Sequence, residues 1–187
     1  MTDTFRALRL HKTDAGQEAR VETLSLDDLM DGIGVDAARF YLVQRSHDAT
    51  IDIDLAQAVE QGPENPVYYV QYAHARIASI LAKSGESAAA IAAAPLMLAD
   101  PTEKALALHI LRYAQMAIDV GRTLETNRVG AYLAQLATLF NGFYQACPVL
   151  KADDATARMS RLRLCAITRA VLADGLSLYG IIAPERM

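Results

Sequence analysis

The run Gly62-Pro63-Glu64-Asn65-Pro66 limits what this chain can fold into more than any other stretch. It interrupts regular structure and dictates a helix directly after it. Asn65 is a good N-cap, and Pro66 suits the first helical position, where a missing N–H costs nothing. From Pro66 to about Lys83, Tyr69, Val70, Ala73, Ile77, Ile80 and Leu81 recur on one face at about 100° per residue. Gly85 follows as the stop.

The same punctuation divides the rest of the chain. Asp100-Pro101-Thr102-Glu103 offers a cap, a first-turn proline and a capping-box carboxylate, predicting a helix to about Val120 with Gly121 as its stop. Asn127 opens another helix, with Val129, Leu133, Leu136, Phe140 and Phe143 as a core stripe, closed by Cys147-Pro148. Asp153 or Asp154 starts a last long helix reaching Leu178, and Ser87–Ala94 is a short alanine-rich one stopped by Pro95. Upstream, Ser25 caps a run carrying Leu26, Leu29, Met30 and Ile33. Gly32 and Gly34 break that run, and Val35–Arg45 resumes it. Thr50–Asp54 alternates too briefly for a sheet, and Leu55–Glu60 is a brief helix. Residues 1–24 have no clear period and read as irregular or weakly extended. The fold class is all-α: a bundle of four or five long helices behind a smaller helical connector. Its divisions are 1–24, 25–62 and 63–187.

Composition narrows the function. No apolar run approaches the ~20 residues that span a bilayer, and the opening MTDTFRALRLHKTD lacks the apolar block of a signal peptide. Cys147 and Cys165 have no metal-type spacing and read as two buried thiols in a reducing cytoplasm. The net charge of −4 argues against sequence-blind nucleic-acid binding. The distribution is uneven: residues 1–66 carry 6 basic against 13 acidic side chains, residues 67–187 carry 12 against 9. His11, His47, His74 and His109 are scattered without partners for metal or nucleophile chemistry, and Asp52 and Asp54 would share a face only if extended. No Gly-rich phosphate loop is present, and no cofactor is expected.

Three stretches, read together, carry a resemblance: LSLDDLMDGIGVDAARFYLVQRSHDATIDIDL over Leu24–Leu55, GPENPVYYVQYAHAR with its continuation to Leu81, and Ala131–Met187 with LFNGFYQACPVL, RLRL and LYGIIAPERM. In register, they resemble arginyl-tRNA synthetase: the connector behind its catalytic domain, the first helix of its C-terminal DALR-type anticodon-binding domain, and that domain's last two helices and terminus. Departures are as informative. A His-Ile-Gly-His type element has no counterpart. Where the family's Lys-Met-Ser-Lys type loop would lie, Gly16–Val21 reads GQEARV, with Glu18 in place of a phosphate-facing lysine, a charge that repels triphosphate. Residues 6–24 read as a remnant of the catalytic-domain edge. Thr126-Asn127 stands where the family usually shows Pro-His.

On the Pro66–Lys83 helix, Tyr68, Gln71, Tyr72 and Ser79 lie opposite the aliphatic stripe. Exposed tyrosines stack on unpaired bases and an amide reads base edges; the resemblance implies an anticodon loop there, with Asn65 at the helix start. The other reading packs this face too, since Ala75 and Ala78 leave room for a neighbour. Arg76, at the edge, suits a phosphate or an acid on an adjacent helix. Arg158, Arg161 and Arg169 share an arc that could guide a phosphate backbone, or instead pair with Asp153 or Asp174. The resemblance brings Arg186 and Met187 near the anticodon.

The resulting expectation is a stand-alone module that binds tRNA, in particular arginine tRNA, without aminoacylation, beside a full-length synthetase or another enzyme. The alternative is a protein-interaction or regulatory subunit that keeps the fold without RNA, as a homodimer or with a biosynthetic enzyme.

Overall fold

A computed structural model of the chain describes residues 4–13, 16–46, 49, 53–152 and 154–187, with side chains from Thr23 onward. His47, Asp52 and Asp153, and most of the alternating 50–54 stretch, lie outside these residues.

The first segment, read as irregular or weakly extended, is extended and paired: β1 (Thr4–Thr13) and β2 (Gly16–Ser25) form an antiparallel hairpin, with Thr4 opposite Ser25 and Thr13 opposite Gly16. Position parity explains why its pattern is hard to read. Leu8 and Leu10 alternate in step with Arg6 and Lys12, so neither parity is consistently apolar. A backbone ladder needs no such stripe. Gly16–Val21 lies within β2.

The connector is helical. In α1 (Leu26–Ile33), Ser25 and Asp28 form a reciprocal capping box: the Asp28 N–H donates to the Ser25 hydroxyl at 3.1 Å, and the Ser25 N–H to the Asp28 carboxylate at 3.0 Å. Gly34, at φ +84°, separates α1 from α2 (Val35–Val43), a conformation that L side chains rarely adopt. Gly32 lies inside α1. Asp54 caps the short α3 (Leu55–Val59).

The bundle follows: α4 (Pro66–Ser84), α5 (Ala88–Ala93), α6 (Pro101–Leu111), α7 (Tyr113–Thr123), α8 (Asn127–Ala146) and α9 (Ala155–Leu178). The caps at Asn65, Ser87, Asp100 and Asp154 and the left-handed Gly85 do what the sequence predicts. The expected single helix from Pro101 does not form. It tightens at Arg112, whose N–H is shared between the His109 and Ile110 carbonyls. At this break His109 stacks on the Tyr132 ring at 4.2 Å and Tyr113 tilts against it at 5.5 Å. Gly121 does not stop α7 either; Leu124, at φ +59°, does.

The core lies where α4, α8 and α9 meet. Val70, Ala73, Ile77, Leu133, Leu136, Phe140, Leu172 and Leu176 are wholly buried, each of the larger ones worth about 2 kcal/mol relative to exposure. Gly175 permits the closest approach, since a Cβ there would sit 2.5 Å from Leu133 Cδ2. Cys147 and Cys165 are buried free thiols, and burial pushes Cys165 up to about 12. Among the described residues, no helix is long and apolar enough to cross a membrane.

Candidate nucleic-acid interface

Helix α4 is buried more thoroughly than its aliphatic stripe alone implies. Ala75 and Ala78 are covered, as the packed reading anticipated. The covering stops short of the tyrosines. Tyr68 is half-buried, Tyr72 is 36% exposed, and their rings stack at 5.9 Å with 12° between planes. One turn on, the Arg76 guanidinium lies 4.8 Å from the Tyr72 ring centre and 5.2 Å from that of Tyr144 on α8, and donates to the Tyr72 hydroxyl at 3.0 Å. Its other nitrogen reaches Asn141 Oδ1 at 3.5 Å. Among the described residues Arg76 therefore meets rings and an amide rather than an acid. Tyr144 escaped sequence reasoning because it sits beside Phe143 at the end of a core stripe; its exposure appears only when α8 packs on α4.

Beside this cluster runs a groove of about 640 Å³ lined by Tyr72, Arg76, Ser79, Lys83, Arg186 and Met187, with Glu185 and three alanines completing it. What brings residues 185–187 here is a chain of polar staples. Tyr179 turns the chain after α9, donating from its hydroxyl to the Thr126 carbonyl at 2.6 Å and accepting from the Gly130 N–H at 2.8 Å. Asp36 on α2 accepts from the Ile182 N–H at 3.3 Å. Gln71 donates to Asp36 at 3.0 Å and to the Ile182 carbonyl at 2.8 Å. Buried His74 meets the Pro184 carbonyl at 2.9 Å through Nδ1. Arg39 bonds the Gly180 carbonyl.

The other candidates are placed differently. Asn65 is buried, and its amide is committed: Nδ2 donates to the carbonyls of Ala58 at 2.8 Å and Glu60 at 3.0 Å while Oδ1 caps α4. Gln71, as above, spends its amide N–H groups on Asp36 of α2 and on the Ile182 carbonyl of the closing segment. Both shape the groove's surroundings rather than facing it.

The arginine arc of α9 is spent on carboxylates. Arg158 pairs with Glu86 at 2.6 Å and with the Ser84 carbonyl at 2.7 Å. Arg161 pairs with Glu103 at 2.8 Å and with the Pro148 carbonyl at 2.9 Å. Arg169 pairs with Glu185. Asp174 accepts from the Tyr113 hydroxyl rather than from this arc, and Asp153 lies outside the described residues. Burial pushes the Glu103 carboxyl up, but hydrogen bonds from Arg161 and from the Asp100 and Ala99 N–H groups outweigh it and hold the group below its ordinary value. Burial likewise drives His109 down, and it meets the Tyr132 carbonyl at 3.1 Å. Among the described residues, no group of His, Cys, Asp and Glu could hold a metal ion. Around the stacking surface stand Arg76, Lys83 and Arg186, none of them in an ion pair among the described residues, a combination suited to unpaired bases and their phosphates.

Comparison with known proteins identifies the domain. Residues 70–187 match the model of the DALR anticodon binding domain. The chain is 40% identical to the arginine–tRNA ligase of Bordetella petrii over 98% of its own length and 34% of the relative's. It is also 40% identical to that of Symbiobacterium thermophilum, over 92% of the chain and 32% of the relative. The arginyl-tRNA synthetase structure of Thermus thermophilus superposes with a TM-score of 0.77 at 29% identity, covering 97% of this chain and 34% of that one. The chain thus spans about a third of the length of the curated relatives it matches.

Proposed function

The chain belongs to the arginyl-tRNA synthetase family through its DALR anticodon binding domain, and on that premise we propose that it binds tRNA, arginine tRNA in particular, at the Tyr72 groove. The observation that carries this reading is the open cluster of Tyr68, Tyr72, Tyr144 and Arg76 beside a groove rimmed by Lys83 and Arg186. Two unpaired bases could continue the Tyr68–Tyr72 stack while the cations meet phosphates. Arg158 and Arg161 contribute through the fold, Asn65 and Gln71 through positioning.

The chain does not itself charge tRNA in this proposal, which is supported by Glu18 standing where the resemblance implies a phosphate-facing lysine. Electrophoretic shift with purified tRNAs at low and moderate salt tests the binding; equal affinity for all tRNAs would refute the arginine assignment. ATP-dependent charging by the purified chain would refute the second part.

A protein partner is the second reading, favoured by α7. That helix buries no residue, and Leu111 and Leu124 near its ends are 76% and 78% exposed. Co-purification that survives Tyr72→Ala but not Leu111→Glu would support it.

A further inference from the structure

One acidic side chain, Glu185, lines a groove whose other charged side chains are Arg76, Lys83 and Arg186. It is held there by an ion pair with Arg169 of α9. Glu185 remains largely exposed, at 64% for its side chain, so the pair is open to competition from solvent ions. Arg169 is only partly satisfied by it. Its terminal nitrogen meets Glu185, while its Nε is buried with no acceptor. A guanidinium offers its donors in a fixed fork, and the two non-bridging oxygens of a phosphodiester can engage two of them at once where Glu185 engages one. Arg169 thus stands one ion pair away from the groove, carrying a donor that the resting arrangement leaves unused.

We propose that Glu185 occupies on Arg169 the place of a nucleic-acid phosphate, so that RNA entering the Tyr72 groove exchanges one anion for another. The proposal rests on the tRNA-binding reading above. In the resting chain the carboxylate neutralises Arg169 and lowers the groove's attraction for any polyanion. When a ribose-phosphate backbone lies along Tyr72 and Arg76, a phosphate takes over the guanidinium and Glu185 turns to solvent. Residues 182–184 are held independently through Asp36, Gln71 and His74, so Glu185 can leave without releasing the segment that carries it. The exchange makes binding selective. A polyanion that cannot also stack on the tyrosines gains too little to displace the carboxylate, whereas an RNA loop gains both contacts.

The test is a double-mutant cycle on tRNA affinity, with binding measured between 50 and 200 mM salt for the wild type, Glu185→Gln, Arg169→Gln and the double variant. Glu185→Gln should tighten binding about 2- to 5-fold and steepen the salt dependence by up to roughly one unit of log K against log salt, because the carboxylate displaced in the wild type takes up a cation that the variant does not. Arg169→Gln should abolish that gain, leaving the double variant no tighter than Arg169→Gln alone. Glu185→Gln should also narrow the preference for tRNA over unstructured polyanions such as heparin. An unchanged or weaker affinity in Glu185→Gln would overturn the exchange while leaving the binding reading standing. A gain that persists in the Arg169→Gln background would overturn it too, because the carboxylate would then act only through the general field. If the wild type binds no tRNA even at 50 mM salt, both the exchange and the reading beneath it fail.

Discussion

The tyrosine face of α4 and the arginine arc of α9 look equally suited to RNA in the sequence, yet they end in opposite states. On α4, Tyr72 and Arg76 stay accessible, their ring and cation facing each other at 4.8 Å. On α9, Arg158 and Arg161 are tied to Glu86 and Glu103, carboxylates from elements far away in the chain. The difference teaches that helical periodicity gives the direction of a side chain but not its partner. Whether a cation is left free or committed to an acid depends on packing between segments roughly 60–70 residues apart.

The contrast can be broken hardest at Arg161. Arg161→Ala leaves Glu103 buried and unpaired, and should cost about 3 kcal/mol in urea unfolding, with no loss of tRNA affinity in the folded protein. A selective loss of affinity with unchanged stability would return Arg161 to the binding surface. Tyr72→Ala should show the mirror pattern, losing about 1–3 kcal/mol of tRNA binding free energy with little change in melting temperature. Acid titration sharpens the contrast further. Because the Glu103 carboxyl lies below its ordinary value in the fold, its contribution is fully present above pH about 4.5 and is lost as pH falls through the folded value. Wild type should therefore lose stability on that limb, and Glu103→Gln should be less stable near neutrality with a flatter acid limb; parallel curves would refute the assignment. The smallest effect belongs to Arg158→Gln, whose pair with Glu86 is partly exposed and should contribute about 1 kcal/mol or less.

Local signals were the legible part of the fold. Asn65-Pro66, Asp100-Pro101 and Ser87 each cap the helix that follows, because a cap is satisfied by N–H groups two or three residues away. The extended character of residues 1–24 was one of two readings open, and their pairing into a hairpin was not legible because a backbone ladder leaves no trace when side chains do not alternate. The Arg112 break was missed because its setting includes Tyr132, a residue of another helix. At the site, the tyrosines could be named from the face they occupy. The partners of Gln71 were not legible, since its amide N–H groups answer to Asp36 and Ile182, the latter 111 residues away.

Tyr179 carries a consequence for how the molecule opens. Thr126 offers no side-chain cap to α8, so the first turn of that helix borrows its hydroxyl from the residue just after α9. The entry of one helix and the exit of the other are therefore a single cooperative unit, and amide exchange at Gly130 should report breathing of the segment beyond residue 178. A truncation made to study only the last few residues would, if it removed Tyr179, unlatch a helix that begins 52 positions earlier.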